Sequence, residues 1–419
     1  MTVAPVPGLS LAPFRALRPV ANGAALGRLL CPPYDVIDDL ERARLLASDP
    51  ENAVSVVLPR AESGEDPYRG AARRLDRWVR DDQLRADDEP ALYVYEMHPG
   101  DGPATRGLLG AVELRDPADG VILPHEDTMA GPVADRLALM TATDANLEPI
   151  YLVYDGGGVA SDLVGNIDAD PPLAETITPD GTTHRLWALT DSDAHRAIAG
   201  DLQNRRALIA DGHHRYATYR ELQRTKRAAQ GPGPWDRGLT LLVDSSTYGP
   251  QVHAIHRILV GLPLQVAVDR AGPVASIAAR TDLDTAINRL GEEQTFAVVL
   301  TDGAEAYVLT DPERRLRSAS VRAGEPDVLA ELDVTILHRA LVGQTWDLPD
   351  TADSVGYAHS VAEAIAGAGR SGGTAVLLRP TPVAAVAAVA AAGARMPRKS
   401  TLFTPKPASG LVMRRFADG

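Results

Sequence analysis

Lysine is nearly missing from this chain: of its 42 basic residues only Lys226, Lys399 and Lys406 are lysines, and the rest are arginine. Against that bias each lysine stands out, and two of them sit close together near the C-terminus. A single cysteine, Cys31, excludes an internal disulfide and a cysteine-rich zinc site. No apolar run approaches membrane-spanning length, so no membrane partner is expected. The start, Met1-Thr-Val-Ala-Pro-Val-Pro-Gly8, lacks a basic stretch followed by an apolar core; no secretory leader is expected, and cytoplasm is the expected location. Surplus positive charge is absent too. A formal net charge of -14 argues against sequence-independent binding to nucleic acid, which depends on neutralising many phosphates. There is no Walker-type Gly-Lys-Ser/Thr loop, no G-x-G-x-x-G corner and no G-x-S-x-G elbow, so the common nucleotide and hydrolase readings lose support.

What is present is ordinary for a globular protein: 45% hydrophobic and 23% charged residues in 419, enough for two or three domains with their own cores. Helical spacing predicts helices over 38–48 and 67–79, with Tyr68, Ala71, Ala72, Leu75 and Trp78 on the inner side of the second. Residues 53–58, 91–95, 106–114, 150–154 and 239–243 read as strands, and more follow at 296–300 and 306–309. Strands alternate with helices, so the expected class is mixed α/β. A texture change near 261–273 marks a boundary between an N-terminal region, 11–260, and a C-terminal α/β region, 261–419. The alanine-rich run 383–394 predicts a helix starting at Pro382 and ending near Gly393.

The most informative segment is Ala207-Leu-Ile-Ala-Asp-Gly-His-His-Arg-Tyr216. A strand-length apolar run breaks at Asp211-Gly212, and Tyr216, Tyr219 and Leu222 then recur at helical spacing. His213, His214 and Arg215 therefore fall at a helix start, where unpaired backbone N–H groups and the dipole favour an anion. Gly212 lets the backbone approach closely and Arg215 can clamp a phosphate. A solvated helix start with a satisfied histidine pair would use the same residues. A second segment, Leu123-Pro-His-Glu-Asp-Thr128, pairs His125 and Glu126 as an anion ligand and a general base; a helix capped by Asp127 or Thr128 is the plainer alternative. Downstream lie Asp135, Arg136 and Glu148. In a third, Arg395-Met-Pro-Arg-Lys-Ser-Thr401, Lys399, Ser400 and Thr401 combine a cation with two hydroxyls, and Lys406 adds another cation. Lysine serves phosphate as a point charge. In Gln251-Val-His-Ala-Ile-His-Arg257, Arg257 can face an anion. His253 reads as a packed or surface residue and His338 as structural. No histidine pair at metal-ligand spacing appears, so no resident metal site is expected.

Together the blocks Pro13-Phe-Arg-Ala-Leu-Arg-Pro19, Pro32-Pro-Tyr-Asp-Val-Ile37, Pro124-His-Glu-Asp-Thr128, Ala210-Asp-Gly-His-His-Arg-Tyr216 and Met396-Pro-Arg-Lys-Ser-Thr401 resemble the bacterial and archaeal domain-of-unknown-function family 1015, in its order, over about 11–416. A more distant resemblance is to free-serine kinases of the ParB/sulfiredoxin-like fold, carried by His125-Glu126, Pro149-Ile150 and Asp211 to Arg215. That resemblance implies a ParB/sulfiredoxin-like phosphate-binding core with an added C-terminal α/β part. It implies Glu126 as base, Asp211 orienting the site or a magnesium ion, and Gly212, His213, His214 and Arg215 as a phosphate cradle. The chain departs from those kinases in a much longer spacer between the blocks and in its large C-terminal part.

The function expected is a small-molecule phosphotransferase, making O-phosphoserine from free L-serine. Its donor would be a nucleotide, pyrophosphate or polyphosphate, with Mg2+ accompanying it. Such chemistry needs a base at the hydroxyl and cations on the transferred group. The alternatives are a ParB-like nucleotide-binding regulator, for which Glu126 would be unnecessary, and a phosphate-ester hydrolase using the same pocket.

Overall fold

The computed structural model describes residues 8–61, 64–349, 351 and 353–418; most of the Met1–Gly8 start, where no leader was expected, lies outside them. The chain forms two compact units. The first takes the chain through Pro124, Thr128–Pro250 and the residues from Pro405 onward; the second takes His125–Asp127 and Gln251–Thr404. The chain crosses between them at 250/251, where no break was expected. The other crossings, around His125–Asp127 and at 404/405, coincide with no compositional shift.

The first unit is built on a nine-stranded mixed sheet. Its order is Ile122–Leu123, Ala207–Asp211, Ile150–Tyr154, Arg237–Asp244, Thr105–Glu113, Leu92–His98, Thr183–Leu189 and Ala174–Ile177, with Leu11–Ala12 added on Thr105–Glu113. Ala207–Asp211 runs parallel to Ile122–Leu123, and Arg237–Asp244 parallel to Ile150–Tyr154; the other pairs are antiparallel. Leu92, Val94, Leu108, Ile150, Leu152, Ile209 and Leu242 form the sheet's contribution to one core, closed by Ile198, Leu202, Tyr216, Tyr219 and Leu222 from helices. That apolar face is what holds the Ala207–Asp211 strand and the helix after it in place.

The helices expected at 38–48 and 67–79 are Asp39–Ser48 and Pro67–Arg80. Asp38 caps the first, and Asp66 caps the second, with Pro67 in its first turn. The strand expected at 53–58 is instead a buried helical turn, Val54–Val57. Its β-branched residues favour a strand, but Asn52 overrides them. The Asn52 amide donates to the carbonyls of Arg28 and Leu30, and its Oδ1 accepts from Val54 N at 2.9 Å. All four residues of the turn are buried, and the valines join a second core with Leu75 and Trp78.

The second unit carries a six-stranded antiparallel sheet in the order Ser276–Ile277, Ala306–Thr310, Ala297–Thr301, Thr374–Leu377, His256–Leu259 and Val355–Ala358. Helices Leu283–Glu292 and Val361–Ser371 bury Ala286, Leu290, Ala364 and Ala368 against Ala297, Val299, Val308 and Leu377. Gln251–His253 pairs with Leu402–Thr404. The alanine-rich helix spans Val383–Ala391 after Pro382. The class is mixed α/β throughout.

Candidate functional site

In the first unit the strand Ala207–Asp211 changes register against Ile150–Tyr154 between Ile209 and Asp211. Such an irregularity re-aims the side chain at the strand end. Gly212 follows with φ +90°, a conformation that suits glycine, and His213 opens the 18-residue helix His213–Gln230. One Asp211 oxygen accepts from Arg215 at 2.5 Å; the other accepts from Lys406, whose Nζ also lies 3.8 Å from Asp35 Oδ2. Arg215 is only 1% exposed, and a further N–H of its guanidinium goes to the Pro149 carbonyl. Among the described residues its Nε has no hydrogen-bond partner.

Burial works to lower the basicity of Lys406, but the charges of Asp211 and Asp35 outweigh it and hold the ammonium above its ordinary range. Arg215 behaves alike: burial opposes its charge, and Asp211, Glu148 and Asp35 more than compensate. Both cations stay charged at any working pH. The neighbouring Tyr34 phenol is pushed by burial up to about 12, against the lowering effect of Arg215.

Tyr34 and Asp35 come from the Pro-Pro-Tyr-Asp turn. The Tyr34 N–H donates to Glu148 Oε1 at 3.1 Å, as does the Ser409 hydroxyl at 2.7 Å. The Arg136 guanidinium lies 4.1 Å from the centre of the Tyr34 ring and 3.9 Å from Glu148, and also contacts Asp135 and the Val57 carbonyl. Asp135 in turn accepts from Tyr68. Arg136 is therefore committed within the body of the unit.

Met129 is the N-cap of helix Ala130–Thr143 and makes no side-chain cap of its own, so neither Asp127 nor Thr128 fills the expected cap position. The orphan donor is met from another element: His214 Nε2 accepts the Met129 N–H at 3.1 Å. His214 thus bears its lone pair on Nε2 in this state. His213 is buried beside it.

In the second unit His125-Glu126-Asp127 docks on the segment 395–401. Met396 N donates to the His125 carbonyl at 2.8 Å, His125 Nε2 lies 3.0 Å from Thr401 Oγ1, and Ser400 N reaches Glu126 Oε1 at 3.4 Å. The Ser400 hydroxyl is turned back onto the Pro397 carbonyl. Lys399 between them is exposed, takes a left-handed φ of +55° and makes no ion pair among the described residues. Arg257, expected to face an anion, is fully buried. Its Nε donates to His338 Nε2 at 2.8 Å and other N–H groups donate to the carbonyls of Ile255 and Arg398. His253 is exposed, with Nε2 2.6 Å from Thr404 Oγ1.

The structure thus joins Asp211, Arg215 and Lys406 in one unit and His125, Glu126, Ser400 and Thr401 in the other. Sequence reasoning passed over Tyr34, Asp35 and Glu148 as site residues. The signal available was their place in two polar blocks, Pro-Pro-Tyr-Asp and Leu-Glu-Pro, each next to a strand or turn that ends at the corner.

No curated protein matches the sequence. Among solved structures, similar chains include a free serine kinase in complex with AMP, at 15% identity and TM-score 0.34 over 68% of this chain and 83% of that one. Others are a conserved hypothetical protein from Pyrococcus furiosus, at 13% and 0.36 over 71% and 94%, and C-terminally truncated SbnI from Staphylococcus aureus, at 12% and 0.33 over 73% and 86%. Residues 11–335, which hold both the His-Glu and the Asp-Gly-His-His-Arg blocks, match the family described as Protein of unknown function (DUF1015), and the chain belongs to that family.

Proposed function

We propose that this chain is a small-molecule phosphotransferase that places a phosphoryl group on the hydroxyl of free L-serine. The observation that carries the reading is the corner at Asp211, where one carboxylate holds two cations, Arg215 and Lys406, at the start of a long helix. A helix start beside an ammonium is suited to a phosphate. Arg215, buried and tied to Asp211 and Pro149, serves as a positioning residue; Gly212 N–H, His213, His214 and Lys406 are the groups offered to the donor.

Glu126 takes the proton. The hydroxyl oxygen of the acceptor attacks the terminal phosphorus of the donor, a new O–P bond forms, and the bond to the donor oxygen breaks with its electron pair leaving on the donor. The hydroxyl proton goes to a carboxylate base, the role that the free-serine kinase resemblance gives Glu126; within its own unit that carboxylate is oriented by the Ser400 N–H, and the neighbouring His125 is steadied by Thr401. Among the described residues no group of three or more acidic, histidine or cysteine side chains is placed to hold a metal. Both Asp211 oxygens are taken by Arg215 and Lys406, so a magnesium ion would come bound to the donor phosphates, with Asp211 holding the cations that meet them.

The test is phosphorus NMR on the purified chain with L-serine and magnesium, in parallel with ATP, ADP, pyrophosphate and polyphosphate. Formation of O-phosphoserine with one donor is the expected result. Donor-dependent shifts without phosphoserine would instead favour the nucleotide-binding regulator, and donor hydrolysis alone the phosphate-ester hydrolase.

A further inference from the structure

The second unit contains a cavity of about 800 Å³ lined, among others, by Asp127, Arg322, Glu325, His338, Arg339 and Arg395. We infer that it is a binding site for a small molecule bearing two or more anionic oxygen groups. Every lining residue belongs to the second unit, and the inference stands without the phosphotransferase reading.

One wall is unusual in its backbone. Leu337–Thr345 is a nine-residue π-helix, and the bond from Trp346 N to the Leu341 carbonyl, 2.8 Å, keeps the same wide spacing just past it. Such winding is rare, short when it occurs, and concentrated at functional sites. Here it brings His338 and Arg339 to the cavity together with Gly343, whose missing side chain leaves room at the wall.

The charges point to the ligand. Arg339 is neutralised by Glu325 at 2.5 Å, whereas Arg395 Nε lies 3.8 Å from Asp127, too far for a hydrogen bond. Arg322 is exposed and has no acidic partner among the described residues. The cavity therefore holds one uncompensated guanidinium and a second that is loosely held, both with the planar fork that matches carboxylate or phosphate oxygens. His338 stands in the same wall, its Nε2 accepting from Arg257, whose guanidinium is always protonated. A cavity of this size accommodates a metabolite-sized ligand.

Occupancy would be felt at Glu126. Asp127 is its chain neighbour, and Met396, which lines the same cavity, donates its N–H to the His125 carbonyl. An anion that draws Arg395 away from Asp127 acts on both strands of that contact.

Isothermal titration calorimetry on the full chain, with inorganic pyrophosphate and with citrate as separate probes, tests the site and distinguishes phosphate from carboxylate ligands. The expected result is saturable binding of at least one probe that weakens tenfold or more in Arg322→Gln/Arg395→Gln. It is partly restored in Arg322→Lys/Arg395→Lys and kept in His213→Gln/His214→Gln, all with unchanged circular dichroism. No saturable binding to the wild type, or binding that falls in the histidine pair and not in the arginine pair, overturns the inference.

Discussion

Lys406 and Asp211, 195 residues apart in the chain, share a hydrogen-bonded ion pair, and Asp35 stands on the other side of the same ammonium. The scarce lysine is thus placed by two carboxylates at the end of the strand that leads into the long helix. If it serves the donor phosphate, Lys406→Met, which keeps most of the stem and removes the charge, raises the donor KM about 10- to 100-fold, the range for losing a hydrogen bond to a charged group. Lys406→Arg does not restore it fully, because a guanidinium cannot replace a compact ammonium between two carboxylates. Steady-state kinetics with the donor identified by phosphorus NMR decide this; an unchanged KM removes Lys406 from the donor site.

Glu126 is judged on a different quantity. Glu126→Gln keeps an acceptor for the Ser400 N–H and removes the ability to take a proton. Turnover is expected to fall by about 10²- to 10⁴-fold, the usual worth of a positioned base, while donor affinity measured by calorimetry stays within about twofold, as expected of a group that acts on the acceptor. A variant that turns over at the wild-type rate ends the assignment of Glu126 as base.

Gly212→Ala tests the geometry of the corner. At φ +90° an alanine is strained, and its Cβ would stand 3.1 Å from Arg215 Nε. Strain of this kind costs about 1–3 kcal/mol, so the urea midpoint should drop. Equal stability of variant and parent would mean that Gly212 does not hold the left-handed turn.

Removing the His214 ring tests its role as a cap supplied from outside the helix it serves. Without the acceptor, the Met129 N–H loses its partner, and His214→Ala should cost about 0.5–2 kcal/mol, as for an ordinary N-cap. His214→Gln retains an acceptor and should recover part of it. Amide exchange at Met129 reads the effect directly: faster exchange in the alanine variant and slower in the glutamine one is the expected order.

Much of this site was legible because it is local. The strand, the Asp-Gly break and the helical recurrence of Tyr216, Tyr219 and Leu222 lie within sixteen residues, and the structure has each of them. The burial of Arg215 was not legible. A cation at a helix start reads as a phosphate ligand, and only the Pro149 carbonyl and the bend at Asp211, both supplied by sheet register, turn it inward. The same holds for His214, whose acceptor role depends on Met129, 85 residues upstream. The strand expected at 53–58 failed for a related reason: β-branched propensity is about 1 kcal/mol in scale, and the three hydrogen bonds of the Asn52 side chain, two of them to distant backbone, outweigh it. Contacts between distant parts of the chain have no period or spacing by which a single sequence announces them.

His256 gives the second unit an acid-sensitive element. Burial, helped by the neighbouring Arg257 charge and opposed by Glu363, holds its imidazole down at about 4. The geometry agrees, since Nδ1 accepts the Leu378 N–H at 3.2 Å and must be unprotonated to do so. Between pH 6.5 and about 4 the unfolded chain binds a proton that the folded chain refuses. The His256 contribution is therefore fully present above pH 6.5, is lost as pH falls through that interval, and changes no further below it. The shift corresponds to at most about 3 kcal/mol. His256→Asn places an amide oxygen where Nδ1 accepts and has no proton to take up. The difference in unfolding free energy between wild type and variant, followed by urea titration, should fall steadily from pH 6.5 to 4. A difference that stays flat across that window would show that His256 is protonated as readily in the folded chain as in the unfolded one.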